Sequence, residues 1–187
     1  MRRPWVILML LMIFCMGAKL DKRAYLLATR VVFIQNVYLT TYGKRLPCSR
    51  AQEIVGWCQD AGSLHGLSVD WLLALAARER GFLNTVKARP GDGAGYMQMT
   101  VDRARMLDPR LRKMTDTQVE SYLILNPYDN FRLAAQFLAE LKKTSGSWRD
   151  AVCKYNVGPN GNLDGKAARN HWAAVDGYHR ALVSAYN

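Results

Sequence analysis

The chain has 187 residues, half of them hydrophobic and 22% charged, the balance of an ordinary globular protein. That length holds one compact domain with a real core and barely two, and no internal repeat is visible, so a repeat array is excluded. The formal charge of +11 favours anionic partners: nucleic acid, anionic lipid or an acidic wall polymer.

Residues 1–18, "MRRPWVILMLLMIFCMGA", place two arginines before an apolar run of about 12 residues and end on Gly17 and Ala18. The run is shorter than the ~20 residues a membrane-spanning helix needs. Charge, apolar run and small residues follow one another in the order of a secretory signal peptide. Left uncleaved, the segment is a short anchor with its arginines on the cytoplasmic side, and membrane association would run through this N-terminus. The expectation is export to the periplasm or cell envelope. Loss of Arg2 and Arg3 with the leader takes two charges from the +11 and leaves +9.

Residues 19–47 form an N-terminal helical extension. Within it Leu27, Val31, Ile34 and Tyr38 share one face of a helix over 22–41 that stops at Gly43. Such a face packs on a domain or lies along a membrane, and simple packing is the favoured reading. The main domain spans 48–187. Ser49 and Gln52 have the spacing of a capping box, and Asp70 is an N-cap candidate for the helix that ends at Glu79. "KARPGDGAG", 87–95, is a loop. Asn126 and Pro127 open what reads as the longest helix, with Phe131, Ala134, Leu138 and Leu141 on its apolar face. A short helix from about Ser147 runs into "YNVGPNGN", and a last helix reaches the C-terminus. Strand signals are almost absent, so the fold class is all-α, one domain.

Three cysteines follow the leader: Cys48, Cys58 and Cys153. An oxidising compartment allows any of the three pairings, and buried inert thiols are the alternative. No CxxC occurs and His65, His171 and His179 are scattered, which argues against zinc.

Glu79 is the residue that asks for a reason. Residues 71–77 are apolar nearly all round, so this helix is buried, yet its last turn carries a carboxylate. Burial and the negative end of the helix dipole both penalise the ionised form and push the pKa upward. A glutamate kept protonated near neutral pH is what a general acid must be. Neighbouring Arg78 and Arg80 offer the plainer reading of a charge-balanced surface glutamate.

"ERGF" at 79–82, "GYMQ" at 95–98 and "YNVG" at 155–158 stand in this order with a basic, exported-looking leader in front. The set resembles the lysozyme-like lytic transglycosylases of the soluble (SLT) type, whose helix ends in Glu-Ser-Gly-Phe and is followed by Gly-Leu-Met-Gln and Tyr-Asn-Ala-Gly. "NPYDNFRLAAQFLAEL" resembles the helix between the second and third motifs. The resemblance covers roughly residues 50–160 and leaves out 19–47. It implies that Glu79 is the single catalytic acid/base. Gln98 and Tyr155 match positions that line the sugar groove, and Met97 and Asn156 fall in the same motifs and shape it. It implies peptidoglycan glycan strands as partner, a monomer, and no metal or cofactor. Ordinary glycosidases use two carboxylates; here Asp92 lies in the loop, where tying a turn is its easier role. Two departures stand out: Arg80 replaces the serine after the glutamate, and Thr100 stands where relatives often have methionine.

Three readings follow. The first is a lytic transglycosylase. The second keeps the fold as a hydrolytic lysozyme or an inactive wall-binding module. The third is a basic helical protein on nucleic acid, against which the basic residues are spread along the chain and the leader points outward.

Overall fold

The computed structural model describes residues 21–85 and 93–186; residues 1–20, 86–92 and 187 lie outside the described residues, and with them the expected leader at 1–18. Among these, eight α-helices and one 3-10 turn account for the fold. They are α1 (Lys22–Tyr42), α2 (Cys48–His65), α3 (Val69–Arg80), α4 (Val101–Leu107), the 3-10 turn Pro109–Leu111, α5 (Asp116–Leu125), α6 (Pro127–Ser145), α7 (Trp148–Val157) and α8 (Lys166–Ser184). One isolated antiparallel bridge, Ala94 with Met99, is the β-type pairing among the described residues. The all-α reading holds. No helix among the described residues is long and apolar enough to cross a membrane.

The centre is α3. Trp71 through Ala77 are all buried, and Leu72, Leu73 and Leu75 are fully enclosed. Each such side chain is worth about 1.5–3 kcal/mol of burial. On one side α3 packs along α8, and on others it meets α2 and α1; α2 in turn packs on α6, and α6 on α7. Ile34, Ile54, Phe131 and Leu123 bring α1, α2, α6 and α5 into one continuous core.

The N-terminal helix begins and ends near the expected bounds, with Gly43 left-handed as its C-cap. Val31, Ile34, Val37 and Tyr38 are buried, so this face packs on the domain. At 21 residues α1, not the helix that starts at Pro127, is the longest described.

Two helix starts differ from the sequence reading. Helix α2 begins at Cys48 with Pro47 as N-cap and no side-chain cap bond, so Ser49 and Gln52 both lie inside the helix. Helix α3 is capped by Ser68, whose side chain accepts from the amide of Asp70. Asp70 is drawn inward instead. Arg30 of α1 pairs with it at 2.9 Å, and the Tyr186 hydroxyl donates to it at 3.0 Å. A buried carboxylate without such partners would be costly, and here α1 and the residue Tyr186 supply them.

Candidate active site

Helix α3 delivers Glu79 to its last turn, where the side chain is only 7% exposed. Gly81 follows as a left-handed C-cap, and Phe82 is left-handed as well, with φ of 68°. A bulky residue in that region costs about 1–3 kcal/mol and persists only where its surroundings hold it. Those surroundings come from α1. Phe33 meets the buried Phe82 edge-on at 6.1 Å, and the Tyr42 hydroxyl donates to the Arg80 carbonyl at 2.6 Å. A Cβ on Gly81 would stand 3.0 Å from the Thr41 hydroxyl, so this turn and α1 touch backbone to side chain.

The second motif is a tight turn closed by the Ala94–Met99 bridge. Its polar backbone is satisfied from within the protein. Asn130, fully buried on α6, accepts from the Met97 amide at 2.8 Å and donates to the Ala94 carbonyl at 2.9 Å. A Cβ on Gly95 would lie 2.6 Å from the Asn130 side chain, and the backbone there has φ of 76°. Gln98 has positive φ too, and its amide donates to the carbonyls of Gly95 (2.6 Å) and Thr85 (3.0 Å).

The third motif meets the second. The Tyr155 hydroxyl donates to the Met97 carbonyl at 2.8 Å, and Arg103 donates to the Tyr155 carbonyl at 2.7 Å. Burial first, then the neighbouring charge of Glu79, hold the Tyr155 phenol well above its usual range. The three motifs therefore form one cluster around the end of α3. Met97, Gln98 and Tyr155 are enclosed, at 0%, 4% and 1% exposed, while Asn156 is exposed. Met97 and Tyr155 thus belong to the packed core. Arg80 is half-buried and its charge bears on Tyr42, on the α1 side of the turn. Thr100 caps α4 by accepting from the Arg103 amide. Asp92 lies outside the described residues.

Two residues of this cluster carried no signal in the sequence. Asn130 reads as an ordinary helical position, and His171 lies 92 residues beyond the glutamate it approaches: its Nε2 is 3.7 Å from Glu79 Oε1. The three cysteines are free thiols, Cys48 exposed and Cys58 and Cys153 buried. A cavity of about 350 Å³ along α5, walled by Met114, Gln118, Tyr122 and Leu125 among others, contains no residue of the three motifs and no carboxylate to act as an acid.

An all-α domain with a glutamate closing a buried helix, braced by a tight turn and a buried tyrosine, is lysozyme-like in architecture. The chain belongs to the transglycosylase SLT domain family, which it matches over residues 58–174. Comparison with curated proteins and with solved structures gave no match. The family supports transglycosylase activity on peptidoglycan, and α1 lies ahead of the matched region.

Proposed function

We propose that this protein is an exported lytic transglycosylase that cleaves the MurNAc–GlcNAc bond of peptidoglycan and leaves 1,6-anhydro-MurNAc ends, with Glu79 as acid and base. The observation that carries the reading is the Glu79 side chain, 7% exposed at the end of α3 within the family match. Glu79 gives its proton to the glycosidic oxygen as the C1–O bond of MurNAc breaks. The substrate's own N-acetyl group covers the positive charge at C1. The Glu79 carboxylate then takes the proton of the 6-hydroxyl as that oxygen bonds to C1, which restores the acid and consumes no water. One carboxylate suffices, where two-carboxylate glycosidases need a second.

Gln98, Tyr155 and Met97 serve the glycan through the backbone turn they hold, and exposed Asn156 meets it directly. The net positive charge draws the protein to the anionic wall. The protein works as a monomer in the periplasm or cell envelope, with leader 1–18 as signal peptide or anchor, and neither nucleic acid nor a metal or cofactor enters the reaction.

The test is mass spectrometry of purified peptidoglycan digested by wild type and by Glu79→Gln. Anhydromuropeptides from wild type alone support the reading. Reducing ends that disappear in the variant would make the protein a lysozyme. Sedimentation of both proteins with the wall and no cleavage by either would make it a binding module.

A further inference from the structure

We infer that His171 is the positioning residue for Glu79, an inference that rests on the reading of Glu79 as the acid. His171 enters from the first turns of α8 with its side chain 2% exposed, and its Nε2 faces Glu79 Oε1 at 3.7 Å. Of the three histidines it is the one placed against a carboxylate in this way. His65 is half-buried on α2, and His179 stacks on Trp71 with ring centroids 3.8 Å apart.

The packing of α8 on α3 dictates the encounter. Trp71 lies eight residues before Glu79, and His179 lies eight residues after His171. Because Trp71 stacks on His179, the two helices run antiparallel in matched register, and His171 falls opposite Glu79 at the other end. At 1.5 Å per residue each span is about 12 Å, so the rungs correspond. Trp172, on the same helix, also stacks on Trp71, with centroids at 6.0 Å.

The chemistry follows from which atoms donate. With the acid's proton on Oε2, Oε1 only accepts, so the imidazole contributes a proton on Nε2. That N–H secures Oε1 and leaves Oε2 to hand its proton to the glycosidic oxygen. As the carboxylate forms, the N–H stabilises it at a buried site where a solvated ion would otherwise be preferred. In the second half Oε2 recovers a proton from the 6-hydroxyl. His171 itself neither gains nor loses a proton. A separation of 3.7 Å exceeds a hydrogen bond; catalytic contacts of free enzymes are often long and tighten with substrate.

The experiment compares wild type, His171→Leu, His171→Gln and Glu79→Gln on soluble uncrosslinked glycan strands, reading kcat and KM from anhydro ends. The expected result is a kcat loss of about 10- to 100-fold in His171→Leu, the size of a hydrogen bond to a charged group. KM should stay within about twofold, and His171→Gln, which keeps an N–H donor, should recover most of the loss. Equal losses in both His171 variants, or an undiminished kcat in His171→Leu, would overturn the inference. Should His171→Leu fail to fold, the nitrogen-detected NMR spectrum of the wild-type imidazole decides: a proton on Nε2 is expected, and a bare Nε2 overturns the assignment. Full activity in Glu79→Gln would instead remove the catalytic reading itself, whatever His171 does.

Discussion

The Tyr42 hydroxyl donates a 2.6 Å hydrogen bond to the carbonyl of Arg80, the residue that follows Glu79. A helix ahead of the family match thus holds the backbone beside Glu79. Removing the hydroxyl in Tyr42→Phe should cost about 1 kcal/mol, a net hydrogen bond. Gly81→Ala should cost more, since it adds a Cβ against Thr41 at a φ of 53°. Urea melts of both variants check this order. Identical melts for Tyr42→Phe and wild type would mean that α1 does not brace the turn.

Asn130 is expected to outweigh Gln98 in holding the 94–99 turn. Asn130→Ala strands a buried amide and a buried carbonyl at once, about 1–3 kcal/mol for each group left unpaired. Gln98→Ala loses two carbonyl contacts, of which the one to Thr85 is only part-buried. Chemical denaturation should therefore rank Asn130→Ala as the weaker protein. The reverse order would contradict this division of labour.

Acid and alkali should each titrate one side chain whose pKa the fold shifts. The Arg110 side chain, hydrogen-bonded to Asp108, holds the Asp108 carboxyl down at about 2, against an ordinary 3.8. A lowered folded pKa gives stability that is fully present above 3.8 and lost as pH falls through about 2. Asp108→Asn should flatten thermal stability between pH 4 and 2. Burial and then the Asp70 charge push the Tyr186 phenol up to about 12. Its contribution is present below 10 and is lost as pH rises through 12. Tyr186→Phe should flatten the alkaline limb and leave the acid one alone. Melts that stay parallel to wild type across either range would refute the corresponding assignment.

Thiol labelling should separate the cysteines sharply. Cys48 is exposed, whereas burial pushes the Cys58 thiol well above its usual value and that of Cys153 upward. Since the thiolate is the reactive form, Cys48 alone of these three should react quickly with a disulfide reagent in the folded protein. The other two should react only after denaturation. Rapid modification of Cys153 in the native state would show that α7 opens.

Helix positions were legible because spacing of apolar residues reports burial directly: Val31, Ile34 and Tyr38 needed no partner to be recognised as one face. Helix starts were less legible. Asp70 looks like a cap by type, but Arg30, forty residues earlier, pulls it inside and Ser68 caps instead. The capping box that does form, Thr115 with Gln118, opens a helix whose apolar face is weak. Residue type marked Glu79, Gln98 and Tyr155, since their motifs are contiguous. It could not say that Gln98 and Tyr155 point inward, because a tyrosine hydroxyl serves a buried carbonyl as well as a sugar. His171 was invisible for a different reason: the register of α3 on α8 is fixed by side-chain stacking, which has no local sequence signature.

The pairing of Arg30, Asp70 and Tyr186 has a practical meaning for handling the molecule. With Tyr25 donating to the Ala185 carbonyl at 2.8 Å, the first described helix and the residues just after α8 lie side by side. Asp70 marks the end of α3 opposite Glu79, nine residues and roughly 14 Å away along the axis. Fluorophores attached near Tyr25 or Ala185 would therefore leave from one pole while Glu79 lies at the other. A circular permutant joining 186 to 21 through a short glycine bridge, reopened in the exposed stretch 159–160, should keep its helices and its glutamate in place.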